Sequence, residues 1–287
     1  MRRALLACLL AGCYHASDLA CAVSCASDQS CPSGLQCGLS DHLCHAGVRD
    51  CSEIDAGVPP RVDAPNPDAS IAPFCDRSKD TLLACFQFEN NTRDGSQYML
   101  PANPTGVMFK PSMTGLGQAL QLTGDTNVQI AETTHLDLQT FTVEAWLFPS
   151  STNNHNVSVV NNGGQYGMFV DINNAAFCAK ITAHPPLNQS PLVIARAPAP
   201  LALNQWTHVA CVYDGTILTL YLNGTQSKTD LTGGDVATNG MQGTGIGSDS
   251  PMTAREDRYV GLLDNVRIWS TARKQADLCA DAAPKCP

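Results

Sequence analysis

This chain has no long apolar run in its interior, little aromatic content and few positive charges, and each shortage removes a class of function. No stretch approaches the roughly 20 consecutive apolar residues that a membrane-spanning helix needs. Aromatic residues make up 6% of the 287 residues and charged residues 15%. The 26 Asp and Glu outnumber the 17 Lys and Arg, for a net charge of −9. Such a chain has no electrostatic reason to bind nucleic acid, where affinity comes largely from neutralised phosphates. It is also repelled by an anionic lipid surface. There is no G-x-S-x-G elbow, no H-E-x-x-H, no phosphate-binding P-loop and no dinucleotide fingerprint. What the chain does have is 14 Cys, 22 Gly and 18 Pro. With abundant Thr, Asn and Val, this composition favours β structure with many turns.

The first residues read as an export signal. Met1-Arg2-Arg3 is followed by the short apolar run Ala4 to Leu10 and then by Leu10-Ala11-Gly12-Cys13. The ending resembles the lipobox of bacterial lipoproteins. That resemblance implies cleavage of residues 1–12 and a diacylglyceryl group on the sulfur of Cys13. Membrane attachment is then by N-terminal acyl chains. Tyr14 stands where an inner-membrane retention Asp is absent, which points to the outer membrane or cell surface.

Cysteine parity agrees with this reading. Cys8 leaves with the signal and Cys13 carries lipid. The rest fall into two even groups: Cys21, Cys25, Cys31, Cys37, Cys44 and Cys51, then Cys75, Cys85, Cys178, Cys211, Cys279 and Cys286. Full pairing in an oxidising compartment requires even numbers. The first group makes residues 13–51 a small disulfide-held module with too few apolar residues for a core. His42 and His45 raise the alternative of zinc, but no C-x-x-C pair is present to hold it. The connectivity of this group is open. Residues 52–74 are rich in Pro, Ala and Asp, as in Asp63-Ala64-Pro65-Asn66-Pro67-Asp68, and read as an extended spacer.

From residue 75 to 287, strand signals recur at short intervals. Phe141 to Phe148 carries large apolar groups on both sets of alternating positions, as expected when both faces are partly covered. His208 to Tyr213, the turn Asp214-Gly215, Thr216 to Leu222 and the turn Asn223-Gly224 read as successive hairpins. Val260 to Trp269 is a late strand, Gly243 to Gly247 a strand and turn, and Ala272 to Leu278 the one candidate helix. Many short antiparallel strands in one domain predict an all-β two-sheet sandwich.

Five blocks sharpen this prediction. They are Leu83 to Glu89 with Asp94-Gly95-Ser96, Gly117 to Gly124, Phe141 to Phe148, Trp206 to Gly224, and Gly261 to Trp269. In this order they resemble the laminin G-like jelly roll of the concanavalin A-like lectin/glucanase superfamily. The resemblance covers residues 80–278 and implies two curved antiparallel sheets and a role in binding or adhesion. It also implies that the first and last strands are neighbours. Cys85 could then pair with Cys279 and Cys75 with Cys286, with Cys75–Cys279 and Cys85–Cys286 as the rival scheme; Cys178 and Cys211 form the third pair. The family often holds calcium near the chain ends, which implies a structural Ca2+ on Glu89 and Asp264. Hydrogen bonding of Asp264, or its pairing with Arg267 or Arg258, is the plainer alternative.

Sugar recognition needs amide or carboxylate hydrogen bonds and an aromatic platform. The polar segments Ser151 to Asn156 and Asn161 to Gly164 are rim candidates, while Trp146, Trp206 and Trp269 read as core. No sugar-binding residue is identified. Laminarinase-type relatives carry E-x-D-x-x-E on one strand, but here Glu144 stands alone. The expected function is non-catalytic recognition of a glycan or surface protein. The alternatives are an architectural spacer and, last, a degenerate polysaccharide hydrolase.

Overall fold

The computed structural model describes residues 74–287, apart from 114–116, 186–189, 231–232, 239–241, 250–256 and 287, together with residues 36–37 and 44–45. Cys13, the side chains of the Cys21–Cys51 module and the spacer up to residue 73 lie outside the described residues. Of the module, only the backbone pairing of β1 (Gln36–Cys37) with β2 (Cys44–His45) is described.

The second compact unit, Ile71–Pro287, is the sandwich. Its strands are β3 (Leu82–Phe86), β4 (Ala102–Thr105), β5 (Met108–Pro111), β6 (Gln118–Thr123), β7 (Asn127–Ile130), β8 (Phe141–Pro149), β9 (Val157–Asn162), β10 (Tyr166–Val170) and β11 (Ala176–Ile181). They continue with β12 (Leu192–Arg196), β13 (Thr207–Tyr213), β14 (Leu218–Leu222), β15 (Thr225–Asp230), β16 (Thr244–Ile246) and β17 (Val260–Trp269), followed by the helix α1 (Gln275–Asp281). One sheet has eight strands, in the order β15-β14-β13-β8-β17-β6-β5 with β3 also on β17. The other has seven, in the order β12-β11-β10-β9-β16-β7-β4. The fold is therefore the expected all-β jelly-roll sandwich.

Alternation explains the layers. Val143, Ala145 and Leu147 of β8 and Val209, Cys211 and Tyr213 of β13 face the seven-stranded sheet, where Val159, Met168, Val170 and Cys178 meet them in one continuous core. The opposite faces of the same strands are covered as well. Leu278 of α1 packs on Ala210 and Val212, and Phe74 and Cys75 pack on Leu82, Cys85 and Trp269. Phe74, assigned to the spacer by composition, thus belongs to the sandwich. Trp146 and Trp269 are buried on this covered outer face rather than in the central core. Trp206 is only half-buried, against Phe148.

Turn chemistry sets the hairpins. Asp214 accepts backbone N–H bonds from Thr216 and Ile217, and Asn223 and Gly224 both take positive φ, +49° and +73°, which the tight turn between β14 and β15 requires. The helix begins three residues later than the sequence suggested.

The long strand β17 organises the region near the chain ends. Its first half pairs with β6 and its second half with β3 on the same edge. Sequence-distant β3 and β17 are thus neighbours, as the resemblance implied. The terminal disulfides nevertheless differ from both expected schemes. Cys75 pairs with Cys85 and Cys279 with Cys286, each within its own segment. The reason is the path of α1, which crosses the outer face and places the Cα of Cys279 against Gly224, between β14 and β15. Cys85 lies on β3, four strand spacings from β14, or about 19 Å. Cysteines whose Cα atoms are beyond roughly 7 Å cannot be bridged.

Cys178–Cys211 forms as expected, and it ties β11 of one sheet to β13 of the other across the core. Its 33-residue separation makes its removal cost about 3–4 kcal/mol in the chain-entropy model. The double variant Cys178→Ala/Cys211→Ala should show that loss in guanidinium denaturation. A loss under ~1 kcal/mol would mean that the cross-sheet core holds the register unaided.

Candidate functional site

The β17 strand is interrupted where it matters. Its register against β8 shifts between Asp264 and Arg267, and Asn265 takes φ +54°. A bulge of this kind bends the strand and re-aims the neighbouring side chain. At the end of β3 the chain does something similar: Phe88 and Asn90, either side of Glu89, have φ +57° and +54°. Left-handed backbone at non-glycine residues is costly and gathers at ligand-binding positions.

The two distortions converge. Glu89 and Asp264 line one recess of about 150 Å³ with Phe74, Gln87, Ser112, Met113, Trp146 and Asn265. The Glu89 carboxylate lies directly against Gly117, whose φ is +82°, and its Oε2 accepts the backbone N–H of Gln118 at 2.8 Å. Asp264 is 5% exposed, and its Oδ1 is buried with no hydrogen-bond partner among the described residues. Burial pushes its carboxyl up to about 8; the Asn265 backbone N–H opposes this and the nearby negative charge of Glu89 adds to it. Neither of the pairings considered for Asp264 forms. Arg267 turns to Glu144 and Asp281, and Arg258 to Gly124 and Asp125.

These residues fit a hard cation. A carboxylate orphaned in a low-dielectric recess beside a second carboxylate gains from a positive charge. The amide oxygens of Gln87 and Asn265 and the hydroxyl of Ser112 are donors of the type calcium takes. Among the described residues no group of three or more Asp, Glu, His or Cys gathers to hold a metal. Calcium here would complete its shell with amide, hydroxyl and water oxygens.

Gln87 and Glu89 also form the wall between this recess and a larger cavity of about 490 Å³. The Cys75–Cys85 disulfide, Arg77, Asn91, Arg93 and Met99 line that cavity. Met99 has φ +45° and is 62% exposed. The buried Asp94 organises the loop by accepting backbone N–H groups of Cys85, Ser96 and Leu100. Sequence reasoning found Glu89 and Asp264 through the family resemblance. It missed Arg77, Asn91 and Arg93, which line the cavity together from separate turns on either side of β3, an arrangement with no sequence signature.

The lone strand carboxylate, Glu144, is fully buried on the covered outer face. Its Oε1 accepts from Trp269 Nε1 at 2.7 Å and Arg273 at 2.6 Å, with Arg267 Nε at 3.2 Å. His208 Nε2 stands 3.3 Å from Oε2, close enough for attraction but off line for a hydrogen bond. Asp281 of α1 closes the network onto both arginines. Burial alone would raise the Glu144 carboxyl, but Arg267, His208 and Arg273 outweigh it and hold the group well below the usual carboxylate range. Two carboxylates balance two guanidinium groups in a closed cluster.

Comparison with known proteins places this fold. Residues 122–279 match the Laminin_G_3 model, described as the concanavalin A-like lectin/glucanases superfamily. Human and mouse Pappalysin-1 are 33% and 32% identical over 88 residues, 27% of this chain. The chain spans about 5% of the length of these curated relatives. Among solved structures, domain 4 of AbnA, a GH43 extracellular arabinanase from Geobacillus stearothermophilus, in complex with arabinotriose, is 20% identical with a TM-score of 0.57. That likeness covers 71% of this chain and 98% of that one. The binding domain of Paraclostridial Mosquitocidal Protein 1 is 13% identical with a TM-score of 0.56, covering 71% of this chain and 52% of that one. The binding domain of Botulinum Neurotoxin DC in complex with SialylT is 13% identical with a TM-score of 0.54, over 72% and 52%. Likenesses at this identity show the fold.

Proposed function

Since the chain belongs to the Laminin_G_3 family of the concanavalin A-like lectin/glucanases superfamily, we propose that it binds a glycan or a surface protein without catalysis. In this reading it is a lipoprotein of the outer envelope, anchored through acylated Cys13. A binding role is in keeping with its structural neighbours, which include a domain in complex with arabinotriose and toxin binding domains. The non-catalytic reading is supported by Glu144: a carboxylate locked by two arginines on a covered face has no path to a substrate.

The observation that carries the proposal is the meeting of Glu89 and the orphaned Asp264 at a recess that shares a wall with the 490 Å³ cavity. Ca2+ held by Glu89 and Asp264 would neutralise that recess and fix Gln87 and Glu89, the residues between it and the cavity. The chelator-treated chain should therefore give heat on calorimetric titration with Ca2+ and melt at a higher temperature. Asp264→Asn should abolish both effects. Gly117→Ala, whose methyl group would displace the Glu89 carboxylate, should weaken Ca2+ at least about tenfold. A glycan array with and without Ca2+ tests the ligand, and mass spectrometry of the native amino terminus tests the lipid on Cys13. No heat and an unmoved melting temperature would remove the cation.

A further inference from the structure

A different arrangement occupies the outer face of the seven-stranded sheet. Strand register draws one row across it: Ile194, Ala179, Gly167, Asn161, Gly245 and Gln129, one residue from each strand between β12 and β7. The middle of this row is low, because Ala179 and Gly167 have almost no side chain. Phe169, two residues along β10 on the same face, leans over Gly167; a Cβ at 167 would come 2.7 Å from its ring. Phe177 stacks on Phe169 with centroids 5.1 Å apart and planes 18° apart, and the Arg196 guanidinium lies 4.5 Å over Phe177. This backing occupies Phe177 and steadies Phe169, which remains partly exposed. Beside the ring is a recess of about 130 Å³, lined by Asn161, Gly164, Gln165, Phe169, Ala179, Ile181 and Leu192 among others.

The polar groups at this recess are few and specific. Gln165 is 1% exposed; its amide nitrogen is held by Asp137, while its Oε1 is buried with no hydrogen-bond partner among the described residues. Asn161 donates its amide N–H to Asp249 at 2.8 Å, which leaves its carbonyl oxygen as an acceptor. Nearby charges are already engaged. Arg196 pairs with Asp171, Asp249 is held by Ser158 and Asn161, and the Lys180 ammonium turns to Thr182, Gly234 and the Tyr213 ring. An aromatic ring, an apolar floor, an amide oxygen as acceptor and charges already engaged in hydrogen bonds suit a ligand with a C–H face and hydroxyl donors.

We propose that this recess beside Phe169 is a subsite for one residue of a neutral glycan. The proposal rests on the glycan half of the function proposed above and adds a site remote in chemistry from the carboxylate recess. The test uses the purified full chain against an array of neutral and of sulfated, sialylated or uronate oligosaccharides, followed by calorimetry with the best neutral one. Phe169→Ala and Phe169→Leu should each weaken that oligosaccharide about tenfold or more, the leucine variant keeping apolar volume without the ring. Phe169→Trp should retain binding, Asn161→Ala should weaken it, and Lys228→Ala, on the exposed edge strand β15, should change nothing. Wild-type binding that survives both Phe169→Ala and Phe169→Leu overturns this subsite and leaves the glycan reading standing. Binding confined to charged oligosaccharides also overturns it. A folded wild type that binds no glycan overturns both.

Discussion

Truncation of Glu144 to alanine should lower folding stability by about 3–5 kcal/mol, the usual cost of stranding buried charges. Arg267 and Arg273, with side chains 5% and 14% exposed, would lose their shared carboxylate, and Trp269 Nε1 would lose its acceptor. Asp281 alone would then face both guanidinium groups. Urea denaturation should show the midpoint falling with an unchanged slope. A loss below ~1 kcal/mol would mean that water reaches the cluster and screens it, as at a surface ion pair. Replacing the whole cluster with apolar residues of similar volume should cost far less than this single truncation, because the penalty lies in the stranded partners. On that outcome the cluster would serve to fix the position of α1 across the sheet more than to add net stability.

Asp264→Asn should have the opposite sign in cation-free solution. With its pKa raised to about 8 from 3.8, the folded chain keeps a proton that the unfolded chain has given up between pH 4 and 8. Native Asp264 thus binds more protons than unfolded Asp264 in that window, and stability falls as pH rises through it, levelling off above 8. The fall should be on the order of 5 kcal/mol if the site stays metal-free and dry. The asparagine variant removes this titration, so at pH 8 and in chelator it should be the more stable protein. Saturating Ca2+ should reverse the ranking, because only the parent carboxylate gains from the ion. Melting curves of both proteins at pH 5 and pH 8, with chelator and with Ca2+, give the full comparison. Parallel pH profiles in chelator would mean that Asp264 is solvated in the native state.

Strong two-sided patterns gave the clearest strand signals in the sequence. β8, β13 and β17 are buried on both faces and rich in Val, Leu and aromatics, and their bounds follow from alternation and flanking turns. β4 and β5 were invisible because they are mostly exposed sheet-edge segments, Ala102–Thr105 and Met108–Pro111, each containing a proline. Asn161 and Asn162 read as a polar loop, yet they are the end of β9, where Asn162 donates to the Leu136 carbonyl from a buried position. That misplacement hid the recess beside Phe169, since Asn161 faces Gly167 only once it is paired in the sheet. The carboxylate pair was legible because the resemblance brings β3 and β17 together. The cavity beside it was not, because its shape depends on left-handed Phe88, Asn90 and Met99. The terminal disulfides were misassigned for a similar reason: composition indicated a short helix after β17 but not which strands it would cross.

The local closure of Cys75 onto Cys85 has a mechanical consequence. Tension transmitted along the chain upstream of Cys75 passes through the sulfur atoms and enters the sandwich at Cys85. Residues 76–84, which include the first three positions of β3, are then bypassed, and the first pairing to take the load is that of Cys85 with Arg267 on β17. Reduction of this one bond would move the pulling point outward by the 10 residues it bridges.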